Sequence, residues 1–319
     1  MRILFHSNAI SVRGTEVALF DYAHFNEEIL GNKSIIAANR NNQNNHPEAV
    51  KKFEKRFGNI FWYNDLKELN KIISETKSDI FYAIKHGNRD GILVDGAKNC
   101  IHCVFREIEP HGDVYAVISE WMSKVVTGGK CDYVPHILNL PDVKLHFREY
   151  LKIPTDAVVF GRYGGTDTFD IDFVKETVKT IARERKNIYF IFMNTENFLD
   201  GEYFENIKFV AGTADDKVKV VFINTCDAML HARLRGETFG IAVGEFSIKN
   251  KPVITFARSP EQAHFWHLKE KGIYYFDDEQ LFNILLSFKP NNKYNYDAFS
   301  QDFSPEKVMQ RFKDVFIDG

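Results

Sequence analysis

Short apolar runs alternate along this chain with longer segments whose apolar residues recur every three or four positions. In the first half, RILFH (2–6), SIIAAN (34–39), IFWYN (60–64), DIFYAI (79–84), CIHCVF (100–105) and VYAVIS (114–119) read as buried strands. Between them, 15–30, 47–58 and 65–78 carry helical periodicity, with Val50, Phe53 and Phe57 on one face of the second. Strand and helix in regular alternation predict a parallel sheet built by right-handed crossovers. The same rhythm resumes after YVPHILNLPD (133–142), whose two prolines punctuate an extended segment and suit a domain boundary. There AVVFG (157–161), NIYFIFMNT (187–195), NIKFVAG (206–212), KVKVVFINT (217–225) and PVITFA (252–257) read as strands, with a helix after Asp172. HFWHLKEKGIYYFDDEQLFNILLSF reads as a strand and an amphipathic helix, NNKYNYDAF as a polar connector, and SPEKVMQRFKDVFIDG as a last helix capped by Ser304.

The chain has 319 residues, enough for two domains with a core each. Its net charge of -3 gives no field that would attract nucleic acid. The N-terminal MRILFHSNAI lacks the apolar core of a signal peptide, and no run approaches the ~18 apolar residues of a membrane span, so a soluble, cytoplasmic protein is expected. The basic helix at 47–58 allows peripheral membrane contact at most. Cys100 and Cys103 form a CxxC, but strand alternation points them to opposite faces, so free thiols rather than a metal site are expected for all four cysteines. Asp170-Ile171-Asp172 reads as helix-capping chemistry, and no metal site is expected.

Candidate chemistry concentrates in 227–255, DAMLHARLRGETFGIAVGEFSIKNKPVIT. Glu237 precedes a short loop with Gly240, and Glu245 lies inside the helix that follows. If both were helical they would stand roughly 12 Å apart, too far to share one small group. A long ligand fits this spacing: hydroxyls at each end for the two carboxylates, and an anionic middle on the N–H groups of Thr238, Phe239, Gly240 and Ile241. A nucleotide-diphosphate sugar has that outline. A second informative stretch is Gly161-Arg162 with Gly164-Gly165, an arginine at a strand's carboxyl end whose fork is suited to a diphosphate, beside a loop that lets a backbone approach closely.

The Glu237/Glu245 pair, with Phe-Gly after the first and Pro-Val-Ile after the second, resembles the donor-site signature of retaining GT-B glycosyltransferases, especially family 4. The resemblance implies an α/β fold of two Rossmann-like doubly wound domains facing across a cleft. It places an acceptor-side domain at 1–138, with the helix 304–319 packing back on it, and a donor-binding domain at 139–303. It implies transfer of a hexose from a UDP- or GDP-sugar to a glycan or lipid-linked hydroxyl, with no cofactor and no metal. Glu237, Arg162 and His111 would be catalytic, His111 being preferred to His86 and His102 because it sits in a loop beside Gly112. Gly14, Gly164, Gly165, Asn194, Arg233, Arg235, Thr238, Phe239, Gly240 and Glu245 would bind the donor, Glu245 at the ribose. Relatives also carry a lysine in the loop occupied here by GGTDTFD, which has none; Arg233 or Arg235, in the HARLR run with His231, would then meet the phosphates. Two alternatives keep the fold and change the role: a sugar-nucleotide epimerase, or a nucleotide-sugar or glycan-binding subunit without activity.

Overall fold

The computed structural model describes residues 1–291 and 293–319; Asn292, within the connector expected at NNKYNYDAF, lies outside the described residues. The chain divides into two compact units, Met1–Ile137 with Asp302–Gly319, and Leu138–Gln301.

The first unit runs β1 (Arg2–Ser7), α1 (Gly14–Glu28), β2 (Lys33–Asn39), α2 (Pro47–Phe57), β3 (Ile60–Tyr63), α3 (Leu66–Thr76), β4 (Ile80–Lys85), β5 (Lys98–Cys103) and β6 (Val114–Val117). The strands form one parallel sheet in the order β3-β2-β1-β4-β5-β6. The middles of these strands are mostly apolar and buried, as in parallel sheets covered on both faces. Helix α1 opens from Arg13 without a side-chain cap, and the Thr15 hydroxyl donates to Glu16. The Glu16 carboxyl is buried, takes hydrogen bonds from Ser7, Ser11 and Thr15, and is pushed above its ordinary pKa by burial. Cys100 and Cys103 point to opposite sides of β5 as alternation requires, and all four cysteines are buried and free.

The second unit runs β7 (Val158–Tyr163), α4 (Asp172–Glu184), β8 (Ile188–Met193), β9 (Ile207–Val210), α5 (Asp216–Thr225), β10 (Ala228–His231), β11 (Gly236–Glu237), α6 (Ile241–Ile248), β12 (Val253–Phe256), β13 (Glu261–Gln262), α7 (Ala263–Leu268), β14 (Ile273–Tyr275) and α8 (Asp278–Ser287). Its parallel sheet has the order β14-β12-β10-β7-β8-β9, and β11 pairs separately with β13. KVKVVFINT is therefore a helix, α5, not a strand. Its Lys-Val alternation imitates a strand, but Asp215 caps it through Lys217 N–H, and Lys219, Val220, Phe222 and Ile223 face inward at helical spacing. In the segment that begins at HFWHL, the helix α7 comes first, and the strand and amphipathic helix expected there follow as β14 and α8.

The chain returns to the first unit as α9 (Pro305–Phe312), capped by Ser304 through Lys307 N–H. Val308, Met309 and Phe312 form its buried stripe, and the Phe312 ring meets Tyr22 of α1 at 5.5 Å and Tyr82 of β4 at 5.0 Å.

Candidate donor site

In an open parallel sheet, ligands gather beyond the carboxyl ends of the strands where the order reverses. In the second unit the chain moves outward from β7 through β8 to β9, then returns to build β10, β12 and β14 on the other side. The reversal lies between β7 and β10. Arg162 and Gly164-Gly165 leave the end of β7, and His231 ends β10 just before Glu237.

Glu237 is the most constrained of these groups. Its backbone is fixed by the β11–β13 pairing, Gly236 opposite Glu261 and Glu237 opposite Gln262. Gly236 has φ +83°, and a Cβ there would stand 2.0 Å from the Glu261 carbonyl oxygen, so only glycine fits. The Glu237 carboxylate accepts from Arg233 Nη1 at 2.8 Å on Oε2 and meets His231 Nε2 at 3.1 Å on Oε1. Burial would raise its pKa, but the Arg233 charge first, then the hydrogen bond from His231, outweigh burial and hold it at about 2. A permanently ionised carboxylate, its side chain 19% exposed, stands at the reversal. Gly240, at φ +94°, turns the chain into α6 directly after it.

Arg162 is placed differently from the expectation of a guanidinium open to phosphate. It is 3% exposed, and its Nη1 and Nη2 donate to Asn194 O, Thr195 Oγ1, Gly165 O and Thr168 Oγ1. Desolvation lowers its pKa to about 10, with Glu237 the first charge opposing that fall. The two glycines serve this packing, since a Cβ on Gly164 would sit 3.0 Å from Arg162 Nη2 and one on Gly165 3.0 Å from Thr168 Cγ2. Asn194, in the left-handed region at φ +50°, joins the loop by donating to Gly164 O at 2.8 Å. Arg162 thus organises the loop with groups that sequence reading did not connect to it, Thr168 and Thr195.

Glu245 is 4% exposed. Its Oε1 accepts from Lys219 Nζ of α5 at 2.7 Å and its Oε2 from the Tyr163 hydroxyl at the end of β7. Lys219 and Tyr163 were not foreseen, because α5 read as a strand and strand end and helix are distant in sequence. Arg235 Nε donates to Glu261 Oε1 at 2.6 Å, and Phe239 is a core side chain against His267 and Phe299. Thr238 follows Glu237 on the way to α6 and is half-buried. Asp170 does not cap α4; its Oδ1 accepts from Leu234 N–H at 2.7 Å and ties the β7 loop to the β10 loop. Asp172 stands in the first turn of α4, paired with Lys175.

Gly14 and His111 belong to the first unit. Gly14 opens α1, and His111 meets Glu109 O through Nδ1 at 2.7 Å with its Nε2 enclosed and unpartnered. Among the described residues no group of His, Cys, Asp and Glu has the geometry to hold a metal ion, and no helix is long and apolar enough to cross a membrane.

No family model matches the sequence, and no curated protein matches it. Among solved structures, the chain is similar to Anabaena Alr3699/HepE in complex with UDP and glucose, at 14% identity and a TM-score of 0.72, covering 98% of each chain. It is similar to WaaG, a glycosyltransferase involved in lipopolysaccharide biosynthesis, at 12% identity and a TM-score of 0.69 over 100% of each chain. A putative UDP-N-acetylglucosamine 2-epimerase from Listeria monocytogenes has 11% identity and a TM-score of 0.61, covering 100% of this chain and 97% of that one. The chain has the fold of GT-B glycosyltransferases, α/β with two Rossmann-like domains, as the strand pattern and the Glu237/Glu245 signature led us to expect.

Proposed function

We propose that this protein is a retaining glycosyltransferase that moves a hexose from a nucleotide-diphosphate sugar to a hydroxyl of a glycan or lipid-linked acceptor. The observation that carries the reading is Glu237, an ionised carboxylate held by Arg233 and His231 at the β7/β10 reversal. As the bond from the sugar's anomeric carbon to the leaving phosphate oxygen breaks, positive charge develops on the ring, and a carboxylate fixed in advance stabilises it without reorganisation. The acceptor oxygen forms the new bond on the same face, and the leaving phosphate takes the acceptor's proton. A UDP-linked donor is favoured by the likeness to HepE, solved with UDP-glucose.

The diphosphate falls to the N-terminus of α6 and to Arg233, whose side chain is 20% exposed. Arg162 has its Nη groups engaged, and the crevice beside its loop sets Asp167, Asp170, Asp172, Glu176, Glu196 and Asp200 against Lys175, a net negative lining of the wrong sign for phosphate. Glu245 stays assigned to the ribose; each carboxylate oxygen accepts two hydrogen bonds, so a ribose hydroxyl would share an oxygen with Lys219 or Tyr163. No metal takes part in this scheme, and turnover is expected to persist in EDTA.

The test is Glu237→Gln, assayed by release of UDP from UDP-glucose and by the anomeric configuration of any product. Loss of turnover with unchanged UDP binding supports the assignment; unchanged turnover refutes it. The likeness to an epimerase favours one second reading, and formation of an epimer with no acceptor present would establish it.

A further inference from the structure

Strands β10 and β12 pair in a register that sets His231 beside Thr255, so both side chains leave the sheet on one face at its carboxyl edge. His231 Nδ1 lies 2.8 Å from Thr255 Oγ1, and Thr255 Oγ1 lies 3.2 Å from His264 Nε2 on α7. With the 3.1 Å contact from His231 Nε2 to Glu237 Oε1, this makes one continuous chain: His264, Thr255, His231, Glu237. His231, Thr255 and His264 are all buried, and His264 Nδ1 is enclosed with no partner.

The direction of the protons along this chain follows from its last member. An ionised carboxylate only accepts, so His231 Nε2 carries the hydrogen. In the neutral ring Nδ1 is then an acceptor, and the Thr255 hydroxyl spends its single proton there. Thr255 Oγ1 is left to accept, so His264 Nε2 carries a hydrogen and its Nδ1 is a bare lone pair. That agrees with an Nδ1 that meets no acceptor, since the reverse arrangement would enclose an unsatisfied N–H. It would also require a charged His231, because a neutral ring with its hydrogen on Nδ1 sets a lone pair against the Glu237 carboxylate. Burial lowers the His264 pKa well below its ordinary value, which keeps the far ring neutral. Other charged or titratable groups interacting with the two ends are Arg233, Arg162, Glu261 and His267.

We propose that Thr255 and His264 are positioning residues for sugar transfer: they lock His231 in its Nε2–H form and thereby fix the Glu237 carboxylate, Oε1 held, with the remaining lone pairs presented to the donor. The inference rests on the reading of Glu237 as the carboxylate that serves the sugar. Its effect falls on the rate of bond breaking rather than on donor binding, because the donor touches neither Thr255 nor His264 in this scheme.

The experiment combines long-range proton–nitrogen NMR of histidine-labelled protein at neutral pH with UDP-glucose turnover. In the wild type both rings show the neutral Nε2–H pattern. Thr255→Val keeps the shape and removes the hydroxyl: His231 leaves that pattern, kcat falls about 10- to 100-fold with KM for the donor nearly unchanged, and the pH profile of kcat gains an ionisation. Thr255→Ser restores both readouts and controls for folding. A doubly protonated or Nδ1–H His231 in the wild type overturns the inference, as does a Thr255→Val protein with unaltered ring signals and kcat. If Glu237→Gln turns over normally, the functional reading fails while the ring signals still judge the proton order. If Glu237→Gln is inactive and Thr255→Val is fully active, the positioning inference alone fails.

Discussion

Lys219→Met tests whether the Glu245 carboxylate is held by the buried cation that the structure places beside it. Lys219 Nζ lies 2.7 Å from Glu245 Oε1 and 3.3 Å from Asp216 Oδ1, and the side chains of the close pair are 9% and 5% exposed. Solvent screening is therefore weak for the Glu245 contact, while Asp216, at 32%, is partly rescued by water. Methionine keeps most of the lysine stem's packing, so the loss isolates the charge. Removing one partner of a buried pair costs about 3–5 kcal/mol, because the other is left uncompensated. At roughly 2–4 °C per kcal/mol for a domain of 150–250 residues, the transition of the second unit should fall by about 6–20 °C in calorimetry. The double variant Lys219→Met with Glu245→Gln removes both charges while an amide can still accept from Tyr163. It should recover most of the loss, since a buried pair replaced as a whole is close to neutral. A single variant within about 2 °C of the wild type, or a double variant no better than the single, would refute the reasoning.

Gly236→Ala should damage activity more than stability. An alanine there meets both the left-handed φ, worth about 1–2 kcal/mol, and the Glu261 carbonyl at 2.0 Å, so β11 must move away from β13 and carry Glu237 with it. Loss of UDP-glucose turnover with a folded circular dichroism spectrum is the expected outcome. Glu237 also predicts a pH dependence. Its folded pKa is depressed, from 4.5 to about 2, so its contribution, on the order of 3 kcal/mol at ~1.36 kcal/mol per unit, is present above pH 4.5 and fades as pH falls toward 2. Denaturant titrations at several pH values should show the gap between wild type and Glu237→Gln closing over that window and constant above it.

The parts that depend on local periodicity and local chemistry could be read from the residues alone. Buried strands at 2–6, 79–84 and 187–195 are recognisable because a parallel strand covered on both faces is apolar along its whole length. Ser304 and Pro305 announce the last helix, and Glu237 with Gly240 marks a turn into a helix. Local pattern misled where the partner was distant. KVKVVFINT looks like a strand because its lysines alternate with valines, yet Lys219 faces inward to meet Glu245, twenty-six positions away. Arg162 carries a phosphate-binding pattern, but only the packed loop, with Thr168, Thr195 and Asn194 converging on it, decided that its Nη groups are engaged inside the protein. Thr255 ends the 227–255 stretch, directly after the Pro-Val-Ile of the signature, but no local pattern marks it or His264 as a partner of His231. It is the register of β10 on β12 and the docking of α7 that bring them to His231. A side chain's type and spacing limit what it can do, while its hydrogen-bond partners are set by which strands lie side by side, and that pairing is a long-range property of the folded chain.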